Sequence, residues 1–218
     1  MAILTKGGGR FRAVIFDLDE TLLLRSPAWC YAVEESVLTV TGRRVTAAPL
    51  SSEYRARPWR AALSVLLDSE ADVERCGALC QSMFERSALK RLLIHDGLGM
   101  ALDGIRGERI EIGAISRERH AQALKQVQST GLDRFLAVLS ATPPEAPWDV
   151  PERLLHCLSF LERGAAECAF VAGDGEDLEA ARELGFTCYQ AAWAMPAASA
   201  CPQIAHPSGL AALLAAAG

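Results

Sequence analysis

An α/β fold built on a doubly wound parallel sheet, with an all-helical domain inserted into it, is what three features of the 218-residue sequence predict. Short apolar, β-forming runs alternate with helical segments over the C-terminal half, the pattern of parallel strands joined by helical crossovers. The first such run, FRAVIF at 11–16, stops abruptly at Asp17, as a strand buried on both faces does. Between it and the other strands lies a block of about seventy residues that reads, from its helical apolar spacing, as nearly all helix. Half the residues are apolar and 22% are charged. That is enough core for one large domain with an insert, and too apolar for a disordered chain.

The elements follow in order. Residues 1–9 end in Gly7-Gly8-Gly9 without a following Lys-Ser/Thr, so they read as a flexible leader rather than a phosphate loop. After FRAVIF, helical spacing covers 27–40, roughly 52–68 and 71–93, with Val73, Leu79, Met83, Phe84 and Leu89 on one face of the last. From residue 97, LGMALDGI reads as a helix, RIEIGAIS (109–116) as a strand and RERHAQALKQVQSTG as a helix ended by Gly131. FLAVLSA is the next strand. PERLLHCLSFLERG is a helix with Pro151 in its first turn and Gly164 at its end. CAFVAG (168–173) is a strand, DLEAARELG a helix closed by Gly185, and FTCYQAAW a further strand. The tail offers a brief strand near Ile204 and a last helix that Ser208 could cap. Residues 1–24 and 95–218 thus form a Rossmann-like core, and 25–94 a helical domain.

Several function classes are excluded by composition. Net charge is −5 with no basic block, which argues against a general nucleic-acid binder. No apolar run approaches the ~18 residues that cross a bilayer, and MAILTKGGGR is too short an apolar stretch for a signal peptide. The seven cysteines are odd in number and scattered, which predicts reduced thiols and a cytoplasmic protein. Cys76 and Cys80 lie four apart on a helix, but no second pair at ligand spacing accompanies them, so they read as small buried side chains. The four histidines are not at ligand spacing either.

The chemistry lies with the acids. Asp17 and Asp19 follow FRAVIF, and Asp174 and Asp177 follow CAFVAG. In open α/β sheets the carboxyl ends of the strands are where ligands bind. A single aspartate there is commonplace as a turn former or helix cap. Two pairs after two strands imply converging carboxylates, which repel one another unless a cation neutralises them. Mg²⁺, which prefers oxygen ligands, fits that need.

FDLDETLL (16–23) resembles the first motif of the haloacid dehalogenase-like hydrolases in their phosphatase form, an apolar strand followed by D-x-D-x-T. IGAIS, ending in Ser116, resembles the second motif, and FVAGDGED the fourth. The resemblance covers about residues 11 to 214, with the helical block as the cap, and is nearest to the phosphoglycolate phosphatase-like branch. It implies that Asp17 attacks the substrate phosphorus to form an aspartyl-phosphate. Asp19 then protonates the leaving oxygen and later activates water, which asks for a carboxyl of raised proton affinity. Thr21 helps fix the loop and bind phosphate, Ser116 hydrogen-bonds a phosphoryl oxygen, and Arg117 is a further candidate phosphate contact. Asp17, the main-chain carbonyl of Asp19, and Asp174 hold Mg²⁺, with Asp177 or Glu176 assisting. Because dehalogenases lack the second acid, Asp19 favours phosphate chemistry. The cap arginines Arg25, Arg55, Arg57 and Arg60 are candidate contacts to an anionic substrate, whereas Trp29 and Trp59 read as core.

Two departures from the family pattern bear on activity. The third-motif lysine has no counterpart: Trp148 stands in its place in Trp148-Asp149-Val150-Pro151, and no lysine follows Lys125. Arg153, in the first turn of the next helix, is the candidate replacement for the phosphate-facing charge, although a guanidinium fork is not equivalent to an ammonium. In addition, Asp177 follows Asp174 by three residues, where the family spacing is four or five. The expected activity is therefore a slow, Mg²⁺-dependent hydrolysis of a small phosphorylated metabolite by a monomer or homodimer. The alternatives are a catalytically weakened ligand- or protein-binding module on the same fold, and a phosphomutase.

Overall fold

A computed structural model describes residues 11–53, 59–144, 148–195, 199–210 and 213. Arg55, Arg57, the leader and most of the expected last helix lie outside the described residues. The chain divides into two units, one holding residues up to 23, 94–127 and 131 onward, the other 24–93 and 128–130.

Alternating burial builds the sheet. Every residue of β1 (Ala13–Asp17) is buried. Val14 and Phe16 enter one apolar core while Ala13 and Ile15 enter another, so the strand is covered on both faces. A wide turn, Leu18–Leu22, leads into the two-residue β2 (Leu23–Leu24). Next come α1 (Ser26–Thr41), α2 (Trp59–Leu66), α3 (Glu70–Phe84) and β3 (Leu93–Ile94), which pairs with β2. Helices and strands then alternate: α4 (Leu98–Gly107), β4 (Glu111–Arg119), α5 (His120–Thr130) and β5 (Val138–Thr142). The rest are α6 (Val150–Leu161), β6 (Cys168–Ala172), α7 (Gly175–Glu183), β7 (Thr187–Ala191) and β8 (Gln203–Ile204).

The six long-range strands pair in the order β5-β4-β1-β6-β7-β8, all parallel. Leu98, Leu102 and Ile105 of α4 and Ala123 and Val127 of α5 pack on one face with Val14, Phe16, Ala169 and Val171. Leu154, Cys157 and Leu161 of α6 and Leu178 and Ala181 of α7 pack on the other with Ile15 and Phe170. This is the doubly wound arrangement expected. β1 lies where successive connections leave in opposite directions, which opens a crevice at its carboxyl end.

The second unit has its own core of Trp29, Val33, Leu63, Val73, Cys76, Cys80 and Phe84. Cys76 and Cys80 are buried, with their thiols toward the carbonyls of Ser36 (3.7 Å) and Ala32 (3.6 Å), as small core side chains rather than ligands. Trp29 and Trp59 stack with ring centroids 6.0 Å apart.

Several local expectations change. The helix expected over 71–93 ends at Phe84, and Leu93–Ile94 is a short strand instead. β4 runs to Arg119, three residues beyond the expected strand, because Thr142 Oγ1 donates to the Arg117 carbonyl (3.0 Å) and Ser116 Oγ accepts from Glu118 N (3.1 Å). α6 ends at Leu161 with Glu162, not Gly164, in the left-handed conformation (φ 55°). Its start is fixed by a reciprocal cap: Asp149 accepts from Glu152 N (2.9 Å) and Glu152 accepts from Asp149 N (2.7 Å). Near the C-terminus the side chain that caps the short turn Pro207–Gly209 is His206, which accepts from Ser208 N (3.3 Å). No helix among the described residues is long and apolar enough to cross a membrane.

Phe170 is fully buried and meets Phe186 edge-on at 6.3 Å. Phe170→Ala is expected to cost about 3–5 kcal/mol in urea denaturation, whereas Met100→Ala, 79% exposed, should change stability by less than about 0.5 kcal/mol.

Candidate active site

The strand register brings the two acidic segments together. Asp17 ends β1 opposite Ile115 of β4, one residue before Ser116. On the other side of β1, Phe16 pairs with Val171 of β6, which is followed by Ala172, Gly173 and Asp174. Gly173 makes this junction possible: a Cβ there would lie 3.0 Å from the Cβ of Ala194 and 3.3 Å from that of Met195. Its N–H donates to Thr21 Oγ1 (3.1 Å), and Thr21 in turn donates to Asp17 Oδ2 (3.1 Å). One hydroxyl therefore ties the β1 carboxylate to the β6 loop.

The turn after β1 is held under strain. Glu20 has φ 69°, a left-handed conformation unusual for a side-chain-bearing residue, and such strain persists only where the surroundings impose it. His95 Nε2 bonds the Glu20 carbonyl (2.8 Å) and Trp193 Nε1 donates to the Thr21 carbonyl (3.0 Å). Asp19 N donates to Asp17 Oδ1 (3.3 Å). The Asp19 carboxylate accepts from Ser116 Oγ (3.2 Å to each oxygen) and from Arg117 N (2.9 Å).

Asp174 caps α7 by accepting from Glu176 N (2.9 Å), which leaves Glu176 exposed and turns Asp177 inward, 4% exposed. Arg117 reaches over both acids, its Nη2 at 2.6 Å from Asp177 Oδ1 and 3.5 Å from Asp174 Oδ2. Arg153, from the first turn of α6, is 4% exposed. Its Nη1 donates to the Ser116 carbonyl (3.4 Å) and Thr142 Oγ1 (3.3 Å), while its Nε has no hydrogen-bond partner among the described residues.

Burial and mutual repulsion set the electrostatics. Burial pushes the Asp17 carboxyl well above the ordinary carboxylate range, and the charges of Asp19 and Asp177 push it further. Asp177 is raised chiefly by burial, against the pull of Arg117. Burial draws the Arg153 guanidinium down, with repulsion from Arg117 adding to this and Asp177, Asp19 and Asp17 opposing it. For Arg117, burial pulls down, but Asp177, Asp174 and Asp17 together outweigh it.

Asp17, Asp19, Thr21, Ser116, Arg117, Arg153, Asp174 and Asp177 thus form one cluster within the first unit. Trp148 stands apart, its ring against that of His156 at 5.2 Å. Arg60 is engaged by Glu70 and Glu74, and buried Arg25 lies over the Phe84 ring at 5.2 Å. His95, Trp193 and Thr142 position the site without having been marked by any motif. Their partners lie far away in sequence, and no local spacing carries that signal.

Whether these residues suit a divalent cation is a question of donors and charge. The oxygens of Asp17, Asp19, Asp174 and Asp177 are hard donors, and the raised Asp17 and Asp177 carboxyls mark a deficit of positive charge that such an ion relieves. No three His, Cys, Asp or Glu side chains among the described residues form a ready ligand cluster. It is the donor chemistry of the four carboxylates, rather than a preformed cluster, that suits a hard divalent cation.

A parallel sheet with acids beyond two neighbouring strands and a helical unit after the first strand is the fold of the haloacid dehalogenase-like hydrolases, and this chain has that fold. It superposes on a haloacid dehalogenase-superfamily hydrolase of subfamily IA from Geobacter sulfurreducens with TM-score 0.79 and 20% identity, covering 96% of this chain and 99% of that one. A provisionally named β-phosphoglucomutase from Thermotoga maritima gives TM-score 0.74 and 19% identity over 94% and 98% of the two chains. A provisionally named phosphoglycolate phosphatase from Lactobacillus plantarum gives 0.69 and 17% over 94% and 99%. No protein-family profile matches the sequence, and no curated protein matches it significantly.

Because folding raises the Asp17 carboxyl, the fold is penalised for ionising it. Stability contributed by the neutral form is present in full below the unfolded carboxylate range and is lost as pH rises through the raised value. In chelator-containing buffer, Asp17→Asn should therefore stabilise the protein at pH 8. That advantage should vanish below about pH 4. Urea denaturation at the two pH values checks both.

Proposed function

We propose that the protein is a Mg²⁺-dependent phosphomonoester hydrolase that acts on a small phosphorylated metabolite through an aspartyl-phosphate on Asp17. The observation that carries this reading is Arg153. The buried guanidinium lies against the Ser116 carbonyl and interacts with Asp17, Asp19 and Asp177, supplying positive charge to a site whose expected lysine is absent. Support also comes from the shared fold, since solved relatives include proteins named as phosphatase and phosphomutase.

In this mechanism the Asp17 carboxylate attacks phosphorus, forming an O–P bond as the ester O–P bond breaks. Asp19 gives its proton to the departing oxygen. Water then loses a proton to Asp19 and attacks the phosphoryl group, releasing inorganic phosphate and the Asp17 carboxylate. Thr21 holds Asp17 in place throughout, its hydroxyl already committed to Asp17 and Gly173. Ser116 bonds Asp19 in this structure and is positioned to orient the acid or a phosphoryl oxygen. Asp17, the Asp19 carbonyl and Asp174, with Asp177, would hold Mg²⁺, which when bound spreads the charge developing on the transferring group. Arg153 replaces the compact ammonium with a planar fork and so favours bidentate contact with phosphate oxygens. A second reading, a weakened ligand-binding member of the fold, draws on Arg117, which already occupies the Asp174–Asp177 pair.

Phosphate release from a panel of metabolites should require Mg²⁺ and be abolished by EDTA and by Asp17→Asn. Arg153→Ala should lower kcat by about 10²–10³-fold, with Arg153→Lys retaining more of it. Release that survives both chelation and Asp17→Asn would sink the hydrolase reading, and phosphate transfer to a sugar hydroxyl instead of water would identify a mutase.

A further inference from the structure

Asp177 is 4% exposed and lies three residues after Asp174 at the start of α7. Arg117 meets it with a 2.6 Å ion pair and extends to Asp174 at 3.5 Å. The two ends of this contact differ. The Asp177 side chain is 6% exposed, whereas that of Arg117 is 57% exposed. The backbone of Arg117 is pinned on both sides, its N–H donating to Asp19 (2.9 Å) and its carbonyl accepting from Thr142 (3.0 Å). A guanidinium on a fixed root and an exposed stem can leave the acids for water without opening the core.

We propose that Arg117 is a built-in counter-cation of the acidic cluster. It neutralises the Asp174–Asp177 pair that the proposed Mg²⁺ site also uses, and the metal must compete with it. This inference rests on the Mg²⁺-dependent reading above and adds a role for a residue that no family motif specifies. It follows that the site is electrostatically tolerable without metal, and that its Mg²⁺ affinity is set below what its oxygen donors alone would give. The coupling is reciprocal: whatever Arg117 takes from metal binding, the metal takes from the Arg117–Asp177 pair.

The test is calorimetric titration of MgCl₂ into the metal-stripped full chain, comparing wild type with Arg117→Ala and Arg117→Lys. Thermal melts with and without Mg²⁺ are recorded alongside. Arg117→Ala should bind Mg²⁺ about tenfold more tightly, melt lower than wild type in the absence of metal, and gain more from Mg²⁺. Arg117→Lys, which keeps the charge, should restore affinity and melting toward wild type, a rescue that a purely packing role would not give. Should the alanine variant fail to fold without metal, Arg117→Gln, which keeps the stem, takes its place. Wild type and the neutral variant binding Mg²⁺ equally, or the variant binding more weakly, would overturn the counter-cation role and leave the Mg²⁺ reading standing. No heat and no melting shift in any of the proteins would overturn the Mg²⁺ reading, and this inference with it.

Discussion

Carboxyl groups that repel one another, held together by a sheet that cannot spread to separate them, are the constraint on which the site depends. β1 is buried on both faces and flanked by β4 and β6 in fixed register, so Asp17 cannot move away from the loop carrying Asp174 and Asp177. The turn after β1 is pinned from outside itself by His95, Trp193 and Gly173, which is how Glu20 tolerates its left-handed backbone. Burial raises the proton affinity of Asp17, and the neighbouring charges of Asp19 and Asp177 add to it.

Positive charge then has to come from somewhere, and here it comes from two arginines that reach the cluster differently. Arg153 is a buried side chain in the first turn of α6, where the Asp149–Glu152 cap fixes the helix start and hence the guanidinium. Arg117 hangs over the acids from the end of β4 on an exposed stem. One is embedded and aimed by the fold, and the other is exposed along its side chain. Lysine would have given a point charge in their place. Forked guanidinium groups give directional donors, which favours planar recognition of phosphoryl oxygens and costs more to reorient.

Much of this was legible in the sequence because it is local. An apolar run ending in Asp-x-Asp-x-Thr places Asp17, Asp19 and Thr21 without any knowledge of the rest, and CAFVAGD does the same for Asp174. The inward turn of Asp177 and the outward turn of Glu176 follow from helical spacing once Asp174 caps α7. Features depending on remote partners were not legible. The strand extension at Arg117–Arg119 depends on Thr142, and the pinning of the turn after β1 on His95 and Trp193. Alignment along the chain set Trp148 against the missing lysine. In space its ring lies on His156, and the positive charge near Asp17 belongs to the arginine five residues on.

Reductive trapping tests directly whether Asp17 is the group that takes the phosphoryl. The protein is incubated with Mg²⁺ and acetyl phosphate, quenched with borohydride and digested for mass spectrometry. An acyl phosphate at Asp17 is reduced to homoserine at that position alone, and this is the result the account predicts. Homoserine at Asp19 or Asp174 instead, or turnover of acetyl phosphate with no reduced residue, would contradict it.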